Sequence, residues 1–207
     1  MDAEARQRIE EVERAGGRSL DLSGTDISDL SLLRGLNSLE ELNLFRTPVS
    51  DLKPLSELTN LRVLIIACTS ISDLAALSEL KNIQKLDLGL TKVSDLGPLS
   101  GLTCLKSLNL VQTAVSDLTP LANLDLEFLI LEGTKVIKLE AVTDMKSLKT
   151  LNLAKTDTHD LQPLSGLKAL EELDLGHTEV SDVNSLSRLH SLQFLNLQGT
   201  EVSDPCP

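Results

Sequence analysis

The sequence predicts an α/β solenoid: a right-handed arch with a parallel β-sheet on its concave face, short 3₁₀ turns on its convex face and an N-terminal capping helix. Three observations predict this fold. An apolar pair spaced as L-x-L recurs every 22 residues, with a single step of 21. A Thr follows the second member of every pair by three residues. A unit of this length cannot bury its apolar side alone, so consecutive units must stack.

The repeat occurs nine times. The apolar pairs are Leu20/Leu22, Leu42/Leu44, Leu64/Ile66, Leu86/Leu88, Leu108/Leu110, Leu129/Leu131, Leu151/Leu153, Leu173/Leu175 and Leu195/Leu197. The threonines are Thr25, Thr47, Thr69, Thr91, Thr113, Thr134, Thr156, Thr178 and Thr200. We predict that each L-x-L segment is a short strand that pairs in parallel with the next copy.

The segment that follows the Thr, which reads S-D-L-x-P-L in its fullest form, predicts a turn on the opposite side of the coil. Its Asp residues are suited to N-cap positions, and Pro suits a first turn because its missing N–H is not needed there. The Asp residues are Asp29, Asp51, Asp73, Asp95, Asp117, Asp160, Asp182 and Asp204. The Pro residues are Pro54, Pro98, Pro120 and Pro163. This context favours turn caps over a ladder of calcium ligands, so we predict no metal site.

The Thr column is predicted to point into the interior. A buried hydroxyl without a partner costs roughly 1–3 kcal/mol, so each Thr should bond to a backbone group of its own or the neighbouring repeat. A nucleophilic hydroxyl would need a nearby base, and none recurs beside this column. The column therefore has a structural role.

The repeat unit L-x-L-x-x-T-x-V-S-D-L-x-P-L resembles the leucine-rich repeat family over residues 18–207. The 22-residue period and the S-D-L-x-P-L turn are most similar to internalin-type repeats and to those of the protein-phosphatase regulatory leucine-rich protein. This chain differs in carrying Thr where those families usually carry Asn. The resemblance implies a non-enzymatic module that recognises a protein or peptide on its concave face.

The two ends of the chain differ. Residues 1–17 predict a capping helix with Ala5, Ile9 and Val12 on its apolar face, ended by glycines. Residues 18–207 predict nine repeats, the last incomplete. The apolar interior at the last repeat is expected to lie open, which suggests self-association there. Two alternatives to a self-contained recognition module therefore stand: the recognition portion of a larger enzyme or exported bacterial effector, and a self-assembling scaffold.

Composition restricts the partners. The formal net charge of -12 argues against nucleic acid as a partner and favours a basic partner.

Cys68, Cys104 and Cys206 lack metal-ligand spacing, and the N-terminus lacks the apolar run of a secretory signal. With no apolar membrane-spanning stretch, we expect a cytoplasmic protein; export without a classical signal peptide is the alternative. The three His fall in different columns, so we expect neither catalysis nor a cofactor.

The predicted binding residues lie in the columns that flank and separate the apolar pairs, which face the concave side and are expected to have no structural task. All three aromatic residues fall in these columns, and exposed aromatics are enriched in binding hot spots. We therefore predict that two apolar patches are partner sites. The alternative is that they are single apolar residues shielded by the curvature of the concave sheet. The Phe45 patch comprises Phe45, Val63, Ile65, Ala67, Cys68, Leu90 and Val111, with Ala67 and Gly89 as the floor of a shallow groove. The Phe128 patch comprises Phe128 and Ile130.

The sixth repeat departs from the pattern. It is one residue short, and Ile137 and Lys138 replace the Ser and Asp of its turn. Sequence drift and a local kink beside Phe128 are both compatible with this.

Overall fold

The computed structural model describes residues 3–203. Helix α1 spans Ala3–Ala15. The strands are β1 Ser19–Asp21, β2 Glu41–Asn43, β3 Val63–Ile65, β4 Lys85–Asp87, β5 Ser107–Asn109, β6 Phe128–Ile130, β7 Thr150–Asn152, β8 Glu172–Asp174 and β9 Phe194–Asn196. A 3₁₀ turn lies between each pair of consecutive strands, from Ser31–Leu33 to Asn184–Arg188. The predicted solenoid is confirmed.

The strands form one parallel sheet in chain order. Each strand is offset by one repeat, so that Leu20 lies opposite Leu42. The short step keeps this register, with Leu108 opposite Leu129. The missing residue is absorbed before β6, where Leu124 and Leu126 are both buried. The irregular repeat therefore leaves strand pairing unchanged, as drift would.

The interior is aliphatic, as predicted. From β1 to β8 the first leucine of each apolar pair is at most 3% exposed. Fully burying one such side chain contributes about 1.5–3 kcal/mol, so stacking of successive coils supplies most of the stability. A buried Thr that the sequence analysis did not single out, Thr158, occupies an interior position that is Val or Ile in the other repeats. Its hydroxyl donates to the Val136 carbonyl at 3.4 Å.

The Thr column lies inside and is fully paired. In every repeat the Thr Oγ1 donates to the carbonyl three residues earlier, at 2.6–2.8 Å. All of these bonds stay within one repeat. Eight of the nine threonines are buried, and Thr200 in the last strand's repeat is partly buried.

The Asp side chains cap the turns from one position earlier than predicted. Asp51 Oδ1 accepts from the Lys53 N–H at 2.9 Å, and Lys53 is the first residue of its turn. The formal N-cap is Leu52, which makes no side-chain bond. The same Asp bond recurs wherever a described repeat has this Asp. The predicted cap Asp204 lies outside the described residues. Lys138 has no acceptor, so the turn of the sixth repeat lacks a carboxylate cap.

The two ends of the described chain differ in coverage. Helix α1 buries Ala5 and Ile9 against the first repeat. At the other end Leu195 is 37% exposed. Self-association there stays a prediction. In the part of the chain that the structure describes, no helix has the length and apolarity to cross a membrane.

Candidate functional site

The aromatic rings lie on the concave face. Phe45, Phe128 and Phe194 are 37%, 42% and 54% exposed, whereas Leu44 and Leu129, which are adjacent in sequence to Phe45 and Phe128, are fully buried. The Arg46 guanidinium carbon lies 5.7 Å from the centroid of the Phe45 ring, a cation–π distance. The rings therefore take no part in the interior.

The Phe45 patch differs from its predicted shape in two ways. Ala67 is only 6% exposed, so it forms a covered floor and offers little contact area. A Cβ at Gly89 would lie 2.7 Å from Val111 Cγ1, so the Val111 side chain leans over Gly89 and fills that part of the predicted groove. Leu90, by contrast, is 50% exposed. Val63, Ile65, Cys68 and Val111 are half-buried.

The open depression beside this patch lies nearer the first strands than predicted. It has a volume of about 210 Å³. Its lining residues are Ser19, Leu20, Asp21, Glu41, Leu42, Asn43, Val63 and Ile65. Val63 and Ile65 form an apolar wall, and the polar groups come from a hydroxyl, two carboxylates and an amide. An apolar group of a partner would meet a mixed surface here.

The residue between the two apolar positions of each strand has a structural task, contrary to prediction. We call these nine residues the central row: Asp21, Asn43, Ile65, Asp87, Asn109, Ile130, Asn152, Asp174 and Asn196. In all seven that are Asp or Asn, the side-chain Oδ1 accepts from the backbone N–H two residues later, at 2.8–3.0 Å. Such local bonds satisfy donors that the sheet does not use. The recurrence of Asp and Asn in this column was the signal that sequence reasoning missed.

Two isoleucines interrupt the central row. Ile65 belongs to the Phe45 patch and Ile130 to the Phe128 patch, and neither can accept a hydrogen bond. Within the described residues nothing accepts from the Ala67 or Glu132 N–H, the donors that an Asp or Asn would satisfy. Both predicted patches are therefore places where the row gives up a backbone hydrogen bond.

The backbone adopts the same left-handed conformation shortly after each strand. The residue three positions after each central-row member has a positive φ; Arg46, Cys68 and Leu90 do so at 56–57° without being glycine. A non-glycine residue in this region costs roughly 1–2 kcal/mol. In the first eight repeats the N–H of this residue donates to a carbonyl of the next repeat, as Cys68 N does to the Gly89 carbonyl at 2.8 Å. Cys68 and Leu90 are thus held at the rim of the Phe45 patch by the fold.

The Phe128 patch is bordered by an ion pair. Lys155 Nζ lies 2.6 Å from Glu132 Oε1, and this hydrogen bond raises the pKa of Lys155 above its ordinary value. Phe128 is exposed and Ile130 half-buried beside it. This second patch is smaller and more polar than the first.

The described residues offer no support for catalysis. No group of three or more His, Cys, Asp and Glu side chains between residues 3 and 203 could hold a metal ion. His159, His177 and His190 are exposed and lie in different columns.

On the convex face a depression of about 330 Å³ adjoins Ile137, which is 46% exposed. Charged side chains, including Lys135 and Glu140, line much of it.

Family and structural comparisons agree with the fold. The family model described as "Leucine Rich repeats (2 copies)" matches residues 18–57 and 146–188. The chain superposes on an internalin C2 from Listeria monocytogenes with a TM-score of 0.91 and 26% identity, covering 94% of this chain and 92% of that one. No functionally curated protein shows significant similarity to it.

Two further solved structures are similar over most of this chain. An internalin (inlF) from Listeria monocytogenes matches with a TM-score of 0.63 and 26% identity, covering 98% of this chain and 77% of that one. A leucine-rich repeat protein from Leptospira interrogans matches with a TM-score of 0.82 and 25% identity. That match covers 89% of this chain and 49% of the other.

Proposed function

Because the chain is a leucine-rich repeat protein with repeats of the internalin type, we propose that it is a non-enzymatic recognition module that binds a protein or peptide through the Phe45 patch on its concave face. Leucine-rich repeat proteins are typically protein-interaction modules. The interior of this chain is filled by packed aliphatic side chains. The concave face carries the chemical variety, so a partner would be selected there.

The interruption of the central row carries this proposal. An Asp or Asn at position 65 would satisfy the Ala67 N–H, and such a bond contributes about 0.5–1.5 kcal/mol. The chain has Ile there instead, beside an exposed Phe. Proteins that break their own local rule usually do so at functional sites. Ile130 repeats the pattern beside Phe128, so both interruptions coincide with exposed aromatic rings.

The net charge of this chain also indicates what charge its partner carries. The net charge of -12 raises the rate of encounter with a basic partner. Arg46 and Lys85 are exposed at the edges of the Phe45 patch, so this protein's own positive charges lie at the rim of the patch. We therefore propose a partner that presents apolar side chains to the patch and carries its basic groups outside it.

The test compares two variants with matched chemistry. Phe45→Ala combined with Ile65→Glu alters the concave patch, and Ile137→Glu places the same new carboxylate on the convex face. Each variant is used as bait beside the wild type, and captured proteins are quantified by mass spectrometry. Loss of a hot spot costs about 2 kcal/mol, or about thirtyfold in affinity.

We expect specific partners to be lost from the double variant and kept by Ile137→Glu, with similar urea midpoints for all three proteins. Equal capture by the double variant and the wild type would refute the proposed site. Unfolding of the double variant would instead mean that these side chains belong to the interior.

A further inference from the structure

Building on the proposed function, we infer that the partner crosses strands β3–β6 as an extended segment, with apolar side chains four residues apart and an Asn or Gln side chain midway between them. The inference concerns four consecutive members of the central row: Ile65, Asp87, Asn109 and Ile130. These residues are direct neighbours across the sheet. We call them the recognition row.

Spacing determines the conformation of the segment. Three steps between parallel strands separate Ile65 from Ile130 by about 14 Å. An extended chain advances about 3.3 Å per residue, so residues i and i+4 are about 13 Å apart. Residues i, i+2 and i+4 of such a chain face the same side. A partner residue at i would therefore contact Ile65, and the residue at i+4 would contact Ile130.

The pair midway between the isoleucines has unused hydrogen-bonding groups. Asp87 Oδ1 accepts from the Gly89 N–H and Asn109 Oδ1 from the Val111 N–H, both at 3.0 Å. No described residue donates to Asp87 Oδ2 or accepts from Asn109 Nδ2. The same two residue types meet in β8 and β9, where Asn196 Nδ2 donates to Asp174 Oδ1 at 2.9 Å. We call the Asp174–Asn196 pair closed, because its two side chains bond to each other, and the Asp87–Asn109 pair open, because its side chains do not.

An open pair of this kind matches a carboxamide. Its NH₂ donates to Asp87 Oδ2, and its carbonyl oxygen accepts from Asn109 Nδ2. A carboxylate at the same place would face Asp87 and be repelled. The pair Asp21–Asn43 offers similar groups but has an apolar neighbour on only one side, at Ile65. The recognition row is thus the place where a polar centre lies between two apolar ends.

The experiment selects peptides on the full chain from a displayed library of random nine-residue sequences. We expect enrichment of apolar-x-Asn/Gln-x-apolar. Synthetic versions of the selected peptides, with the central Gln kept or changed to Glu, are then measured by fluorescence anisotropy. The Glu peptide should bind the wild type about tenfold more weakly or worse, since it loses a hydrogen bond and gains a like-charge contact.

Two variants separate this inference from general binding. Asp87→Asn keeps the Oδ1 that caps Gly89 and removes the charge, so the Gln-to-Glu ratio should fall to about threefold or less. Asp174→Asn is the matched control in the closed pair and should leave the ratio unchanged.

The outcomes distinguish the two proposals. Peptides that lose binding with Ile65→Glu but show helical spacing, a basic centre or no central preference overturn the inference and leave the proposed function standing. Failure of the library to enrich any sequence also overturns it. Selected peptides that bind Ile65→Glu as well as wild type contradict both.

Discussion

The Thr column and the central row perform comparable tasks on opposite sides of each strand end. Inside, the Thr hydroxyl donates to a backbone carbonyl of its own repeat. On the concave face, the Asp or Asn oxygen accepts from a backbone N–H of its own repeat. The Thr column is complete in all nine repeats, whereas the central row is replaced twice by Ile.

The difference follows from where the two sets of groups lie. An unpaired polar group in the dry interior costs roughly 1–3 kcal/mol and affects the packing of both neighbouring coils. A row at the concave surface can lose a bond at smaller cost because water or a partner can occupy the space. The interior therefore keeps its pattern, and we propose that the departures on the concave face mark positions used for binding.

The largest expected effect compares two adjacent residues of β6. Leu129 is fully buried and Phe128 is 42% exposed. Leu129→Ala should destabilise the chain by about 2–5 kcal/mol, because it leaves a cavity between coils. Phe128→Ala should cost less than about 1 kcal/mol, although it removes the larger side chain. Urea unfolding of both variants checks the difference, and equal losses would mean that the ring packs inside.

A smaller effect is expected in the Thr column. Thr113→Val keeps the shape of the side chain and removes its bond to the Leu110 carbonyl. That carbonyl still accepts from the Thr113 N–H, so the cost should be about 0.5–1.5 kcal/mol. Urea unfolding measures this loss, and partner capture should be unchanged. A variant as stable as the wild type would show that the hydroxyl bond of the Thr column contributes nothing to folding.

The sequence alone allowed most of the fold to be predicted. The 22-residue period places strands, turns and the aliphatic interior, because stacking of short units leaves few alternatives. The period also places Phe45 and Phe128 outside, since their columns alternate with buried leucines. The family and structural matches agree with that fold.

The details of the concave face were less predictable. The lean of Val111 over Gly89 is a packing detail between neighbouring strands that the repeat pattern does not specify. The task of the central row depends on a strand-end N–H that the sheet leaves unused, and this was overlooked because Asp and Asn in an exposed column suggest solvation. The Asp caps lie one position earlier than predicted because each turn begins after the apolar residue that follows the Asp, as the turn at Lys53 begins after Leu52. The identity of the partner depends on a second molecule.

The most direct test of the account is Ile65→Asn, compared with Ile65→Ala. Both variants lose the apolar contact, but only Asn can accept from the Ala67 N–H as Asn43 accepts from the Phe45 N–H. The account predicts that Ile65→Asn is more stable than Ile65→Ala by about 0.5–1.5 kcal/mol in urea unfolding, while it loses the partners that the wild type captures. Equal stability of the two variants, or full capture by Ile65→Asn, would contradict the claim that this position gives up a backbone bond for recognition.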